Sequence, residues 1–141
     1  MPLDPERALS AALLARLRAD PGVTALVGPR TWDQPPPDQG FPYLHLGRVE
    51  TRPLGGDPAE GVELVATLTC VSRFGGKEEA QAAGAAVRAA LHDAELAVAD
   101  HRLANLRVTF QDAFRASDWR SVYGVTRLRA VLEPLALAEA A

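Results

Sequence analysis

The side chains that could support metal or nucleophile chemistry are few, namely three histidines and one cysteine. His92 and His101 lie nine residues apart across a loop, and this spacing matches no recognised metal-ligand motif. Cys70 lies in an alternating apolar segment and is interpreted as a small core residue, while His45 is interpreted as a structural histidine. His92 follows a helical segment, where an imidazole favours the negative end of the helix dipole. The sequence therefore predicts no catalytic residue, no metal site and no cofactor.

Two other groups resemble sites only superficially. Segment 73–77, Arg-Phe-Gly-Gly-Lys, lacks the spacer and the Gly-Lys-Ser/Thr ending of a phosphate loop, so we interpret it as a strand-to-helix turn. Asp57, Glu60 and Glu63 could form a carboxylate group, but nothing in the sequence brings them into one pocket. A solvated hairpin rim is the favoured interpretation of these three acids.

Basic charge is concentrated in the C-terminal third of the chain. The arginines concerned are Arg102, Arg107, Arg115, Arg120, Arg127 and Arg129. On two paired strands, some of them could form one basic face for nucleic acid or for an acidic protein. The net charge of -3 and the lack of an evident aromatic platform make nucleic acid the weaker interpretation. Salt bridges between subunits fit these arginines at least as well.

Length and composition predict one ordinary globular domain. We expect a single domain over residues 1–141, with 135–141 as a frayed tail. One cysteine excludes an internal disulfide. Segment 1–7 contains Asp4 and Glu6 and lacks the basic start and apolar core of a signal peptide. No apolar run approaches the roughly 20 residues of a membrane span. We therefore expect a cytoplasmic protein without a membrane partner.

Helical spacing predicts two main helices. The first begins after Asp4, which can cap it, and buries Leu9, Leu13 and Leu17 at intervals of four residues. Asp20-Pro21-Gly22 is predicted to end this helix, and a short helical turn over 23–27 is expected to follow. The second main helix is predicted over 77–92. Its buried side consists of small residues, so close packing on a sheet is a plausible reason for its Gly84.

Extended segments are predicted at 31–34, 42–52, 62–71, 106–111 and 123–132, with a hairpin tip over 53–61 and a connector over 96–102. Leu106, Val108 and Phe110 are predicted to share one face of their strand. The order helix, hairpin, helix, hairpin predicts an α+β fold, in which a mostly antiparallel sheet carries the helices on one face.

One face of the predicted sheet is more apolar than a solvated surface requires. Val62, Leu64, Ala66, Leu68 and Cys70 alternate with residues that point the other way. The second set includes Val65, Thr67 and Val71, which we therefore expect to mediate self-association. Arg127 and Arg129 are expected to contribute to the same interface.

The order of several segments resembles the tail-completion, or tail-terminator, family of long-tailed bacteriophages, especially the version in bacterial gene transfer agents. The segments are a Leu-rich helix leading to Ala25-Leu26-Val27-Gly28, then Phe41-Pro42-Tyr43, Val71-Ser72-Arg73, Val87-Arg88-Ala89-Ala90-Leu91-His92, and a strand from Gly124-Val125 to Glu133-Pro134. Each segment alone has little specificity, but their order is fairly specific. None is a catalytic motif.

This resemblance implies a non-enzymatic structural protein that forms a ring, usually six-fold, on the head-proximal end of a tail tube. Such a ring ends tube polymerisation and docks to the head–tail connector, and DNA passes through it without sequence-specific binding. The long hairpin tip is the candidate contact with the major tail tube protein. Its candidate residues are Leu54, Gly55, Gly56, Asp57 and Glu60. The alternatives are a head–tail connector or stopper, a small α+β binding domain, or an enzyme subunit.

Overall fold

The computed structural model describes residues 4–56 and 60–135. Their helices and strands are, in chain order, α1 Pro5–Ala19, α2 Pro21–Val27, β1 Thr31–Trp32, β2 Tyr43–Pro53, β3 Val62–Ser72, α3 Glu78–Leu91, β4 His101–Arg115 and β5 Val122–Pro134. The strands form one five-stranded sheet in the order β1-β2-β3-β5-β4. The short β1 runs parallel to β2, and every other neighbouring pair is antiparallel. The predicted α+β fold is confirmed.

Aspartate caps define where the first two helices begin. Asp4 accepts a hydrogen bond from the Arg7 amide at 2.8 Å, and Asp20 accepts one from the Val23 amide at 3.0 Å. Pro21 is the first residue of α2, where its missing N–H is not needed. The segment predicted to stop α1 therefore also starts α2.

The hydrophobic core lies between the helices and one face of the sheet. Leu9, Leu13 and Leu17 of α1 are buried, as predicted. The sheet contributes alternate residues from its long strands, including Leu44, Leu46, Leu64, Leu68, Leu128 and Leu132. The opposite face of the sheet carries no helix of the described chain and is called the open face below.

A β-bulge makes one predicted face assignment wrong. The β4–β5 register shifts between Val108 and Phe110, so Phe110 lies opposite Arg127 on the open face. Leu106 and Val108 are buried as predicted, but Phe110 is 43% exposed. A second bulge between Leu46 and Val49 explains the irregular phase of β2.

The predicted connector over 96–102 is too long, because β4 already begins at His101. The end of α3 holds the outer edge of this strand. The Asp93 amide donates to the Leu106 carbonyl at 2.8 Å, and the Val108 amide donates to Nδ1 of His92 at 3.0 Å. His92 therefore links the helix to the sheet in addition to ending the helix.

Helix α3 approaches the sheet closely at Gly124. A Cβ atom placed there would lie 2.9 Å from the Ala80 carbonyl oxygen. At Gly84, by contrast, a Cβ would meet only Nε2 of Gln111, at 3.4 Å. Close packing thus accounts for the glycine in β5 rather than for the glycine that the sequence analysis singled out in α3.

Candidate assembly surfaces

The open face brings together the five residues predicted to form an interface. In the β3–β5 register, Val65 lies opposite Arg129 and Thr67 lies opposite Arg127. Val71 lies further along β3, opposite Tyr123. Val65, Thr67 and Val71 are all half-buried although no helix covers them. The sequence placed these side chains on the correct face, and their role in an interface stays a prediction.

An ion-pair network ties three neighbouring strands at one end of the open face. Glu63 Oε2 accepts from Arg129 Nε at 2.7 Å, and Glu63 Oε1 accepts from Arg52 Nε at 2.8 Å. These bonds from Arg129 and Arg52 hold the pKa of the Glu63 carboxyl below its usual value. Glu63 is only 8% exposed, so its interpretation as part of a solvated rim is wrong. It is a structural ion-pair partner.

Three of the six C-terminal arginines, Arg107, Arg127 and Arg129, share the open face, so some of them do lie on one face of the paired strands. Arg107 lies opposite Arg129 on the open face, and Arg127 lies 4.9 Å from the centre of the Phe110 ring. Arg102 instead pairs with Glu133 at 2.7 Å, and Arg115 bonds to backbone carbonyls. Several of these guanidinium groups are thus already engaged within the chain.

The hairpin tip lies at the end of the sheet where β2 stops and β3 starts. Its base closes through the Leu54 amide, which donates to the Gly61 carbonyl at 3.0 Å. Gly55 and Gly56 both have positive φ angles, of 60° and 83°. Glu60 is exposed, and its carboxylate lies beside Gly55. Asp57, also predicted as a contact residue, lies outside the described residues.

The candidate nucleophile and the candidate metal ligands do not come together. Burial raises the pKa of the Cys70 thiol to about 12, so the thiolate is scarce at neutral pH. Within 4–56 and 60–135, no three His, Cys, Asp or Glu residues are arranged to hold a metal ion. His45 is on the open face, whereas His101 makes a 2.7 Å contact with the backbone oxygen of Ala99.

A recess of about 760 Å³ lies between the segments 93–98 and 101–106. A pocket with converging polar groups and a carboxyl or imidazole of perturbed pKa would favour an enzyme. Among the described residues, neither carboxyl group with a shifted pKa lines this recess. Glu63 belongs to the open face, and Asp118 lies in the β4–β5 turn, where the amides of Arg120 and Ser121 lower its pKa.

Sequence reasoning missed a cluster of aromatic side chains at the end of the sheet opposite the hairpin tip. Its members are Phe41, Phe74, Phe114 and Trp119, each exposed by between 37% and 78%. The sequence did contain one indication of this cluster. Phe74 and Trp119 lie next to the turn residues Gly75-Gly76 and Ser117-Asp118, and side chains in turns are usually too far from the core to be buried.

The helices cover one face of this sheet, and the other face is partly apolar. Such an architecture is typical of a subunit whose uncovered face contacts another protein. The family model described as Tail completion protein gp17 matches residues 11–133. This chain belongs to that family, whose members are structural proteins of phage tails.

Comparison with solved structures gives a consistent result. One similar chain comes from a structure titled "Virion of native gene transfer agent (GTA) particle". The two chains are 29% identical, the match covers 91% of this chain and 96% of the other, and the TM-score is 0.84. No curated protein matches significantly. None of the helices in the described part of the chain is long and apolar enough to cross a membrane.

Proposed function

We propose that this chain forms a ring at the head-proximal end of a phage-like tail tube, where it ends tube polymerisation and joins the tail to the head. Membership of the tail completion family and similarity to a chain of a gene transfer agent virion support this proposal. In this account, residues 1–141 act as one domain that assembles in the cytoplasm and becomes part of the particle. DNA passes through the ring without sequence-specific contacts.

The open face is the observation that carries the proposal. Half-buried valines and threonines alternate with the helix-facing core of β3 from Val65 to Val71. Apolar surface of this kind is usually covered by a partner. A ring needs heterologous contacts, in which one patch of each subunit meets a different patch of the next. The open face supplies one of these two patches.

The mechanism is geometric. Contacts of this type give a closed ring when the rotation between neighbours is a whole fraction of a turn. A closed ring on the end of a tube occupies the positions that the next tube subunits would take. Its far surface does not repeat the tube surface, so growth stops there, and that surface remains available for the head.

Charge substitution at Val65 tests the role of the open face. Val65 lies between Arg129 of β5, which already donates to Glu63, and Glu50 of β2, so a glutamate there meets a cation on one side and a carboxylate on the other. Circular dichroism therefore has to show that Val65→Glu is folded before rings are counted. Ring formation on purified tail tubes, counted by electron microscopy, should fall strongly because an added carboxylate is desolvated when the interface closes.

The matched controls are Val65→Thr and Ala89→Glu. Thr keeps the shape of Val without adding charge, and Ala89 is an exposed residue of α3 on the helical side of the molecule. Val65→Thr should form rings normally, whereas loss of rings in a folded Ala89→Glu protein would assign the second patch of the heterologous contact to the helical side. The assay uses tubes because a ring that needs the tube as a template leaves the free protein monomeric. Normal rings from a folded Val65→Glu protein would show that this face is not the interface.

The hairpin tip is the proposed contact with the tail tube. Replacing residues 54–60 with a two-residue Asn-Gly turn should leave the fold intact, because Pro53 and Val62 already pair at the base of the tip. The variant should bind purified tubes less tightly and give fewer joined particles. A folded variant that binds tubes and supports full assembly would exclude the tip as the docking element.

A further inference from the structure

Exposed aromatic side chains are gathered at one end of the molecule. Of the five large hydrophobic side chains exposed in the described ranges, four lie where β3 and β4 end and β2 and β5 begin. We call this group, Phe41, Phe74, Phe114 and Trp119, the aromatic end. Each exposed ring costs solvation free energy. Such a concentration therefore indicates a surface that is covered in an assembly.

Trp119 combines high exposure with an unfavourable backbone conformation. Its side chain is 78% exposed, and its φ angle is 61°. A bulky residue with positive φ is an outlier, because its Cβ crowds the backbone in the left-handed region. Glycine or asparagine would occupy this position at less cost. Strain of this kind persists where the side chain has a function.

The turn that carries Trp119 is held firmly. The Trp119 amide donates to the Ala116 carbonyl at 3.0 Å, and the Ala116 amide donates to the Ser121 carbonyl at 2.8 Å. Asp118 accepts from the amides of Arg120 and Ser121 at 2.8 and 3.1 Å. The indole is thus presented from an ordered turn, and ordering it on binding costs little conformational entropy.

Two arginines join the parts of the aromatic end. Arg115 donates to the carbonyl of Gly75 at 2.8 Å and to that of Trp119 at 3.3 Å, so it connects the turn after β3 with the turn after β4. The guanidinium of Arg73 lies 4.4 Å from the centre of the Phe41 ring. These contacts link the segments that carry Phe41, Phe74 and Trp119, and Phe114 precedes Arg115 in the chain.

Exposed charges of both signs lie at this end. Arg73, Lys77 and Arg120 are exposed, and so are Glu78, Asp112 and Asp118. The amides of Arg120 and Ser121 lower the pKa of Asp118, so its carboxylate is charged beside Trp119. A complementary surface would offer an apolar recess for Trp119 with polar groups of both signs around it.

We propose that the aromatic end is the docking surface for the head-side protein of the particle, and that Trp119 is its central anchor. This inference rests on the proposed function, in which the hairpin tip faces the tail tube. At about 3.3 Å per residue, the 11 residues of β3 separate the hairpin tip from the aromatic end by roughly 35 Å. Phe114 points to the open face, opposite Tyr123, and would be shared with the ring contact. Phe74 and Trp119, in contrast, lie in turns beyond the ends of β3 and β4 and stay uncovered when the ring closes.

A protein partner fits this surface better than nucleic acid. Trp119 is 78% exposed on the turn between β4 and β5, where its side chain is free to fill a pocket of a partner. Single-strand binders instead arrange aromatic rings along a groove on which successive bases stack. The bases of duplex DNA are already stacked and offer no face to an indole.

The test separates docking to the head from binding to the tube. Trp119→Gly removes the indole and suits the positive φ angle, so the turn should keep its conformation. Trp119→Asn has the same purpose, and Trp119→Tyr retains an aromatic anchor. Each variant is assembled on purified tail tubes, and the capped tails are mixed with purified heads. Both capping and joining are then scored by electron microscopy.

The Gly and Asn variants should cap tubes normally and lose head joining by about 30-fold or more, the effect of truncating an interface hot spot. The Tyr variant should recover most of the joining. Normal joining by the Gly variant would overturn the inference. Loss of capping in a folded Gly variant would also overturn it, because it would place this end on the tube side. If no form of the protein, wild type included, caps tubes, the proposed function fails instead.

Titration with a single-stranded oligonucleotide tests whether the aromatic end binds nucleic acid instead of a protein. Tryptophan fluorescence of the wild-type protein should not change on adding the oligonucleotide. Quenching that disappears in Trp119→Gly would identify nucleic acid as the partner and would overturn the proposal of a protein.

Discussion

Two glycines at the interface between α3 and the sheet should respond to alanine in opposite directions. A Cβ at position 124 would lie 2.9 Å from the carbonyl oxygen of Ala80 and 3.3 Å from its Cβ. Both atoms belong to the helix itself and cannot rotate away, so α3 must shift. A Cβ at position 84 would meet only Nε2 of Gln111, at 3.4 Å. This amide donates to the Gly84 carbonyl at 2.7 Å and to Thr126 Oγ1 at 3.0 Å, but it needs to yield by only a few tenths of an ångström.

The expected magnitudes follow from these contacts. Overpacking by an alanine at position 124 lowers the free energy of unfolding by about 1–3 kcal/mol. The lower conformational entropy of the unfolded chain raises it by about 0.4–1 kcal/mol. Gly124→Ala should therefore lower the free energy of unfolding by about 0.5–2 kcal/mol. Gly84→Ala should raise it by up to roughly 1 kcal/mol, the difference in helix propensity between the two residues.

Urea unfolding followed by far-ultraviolet circular dichroism measures both effects, provided that the slope with urea concentration is unchanged. A Gly124→Ala protein as stable as the wild type would refute the packing argument. If Gly84→Ala lowers the free energy of unfolding, Gly84 is required for close packing of α3 on the sheet, as the sequence predicted.

Three further predictions concern the fold. Because Arg129 and Arg52 depress the pKa of Glu63, its contribution is present above the usual carboxyl pKa of 4.5 and is lost as pH falls through its lower folded value. The difference in stability between wild type and Glu63→Gln should therefore shrink on acidification, and a gap independent of pH in urea unfolding would contradict this. Cys70 should react with a thiol reagent only after unfolding, and rapid labelling of the native protein would show that the thiol is not buried. Asp20→Ala should cost about 1 kcal/mol through loss of the α2 cap, measured by thermal unfolding against the exposed control Asp38→Ala, and equal stability would exclude a capping role.

The local sequence pattern was sufficient to predict buried side chains in those helices and strands that bury one face along their whole length. The alternation in β3, and the four-residue spacing in α1, predicted which side chains enter the core. It also placed Val65 and Arg129 on the same open face. These patterns depend only on the geometry of a strand or helix, and the hydrophobic effect acts on each residue in turn.

Features that depend on two distant segments could not be predicted in this way. The bulge that turns Phe110 outward is a property of the β4–β5 pair, not of β4 alone. The partners of Glu63 lie 11 and 66 residues away in sequence. Antiparallel register likewise brings Phe41 and Trp119 to the same end of the sheet. No local spacing encodes these neighbours, so neither the ion-pair network nor the aromatic end was predictable.

The most direct test of the central proposal is electron microscopy of tail tubes assembled with and without this protein. With the protein, one end of each tube should carry a closed ring and should stop growing, while tubes without it should continue to lengthen. Incorporation of the protein along the tube wall would contradict the proposed function, and so would continued growth of tubes at saturating protein concentration.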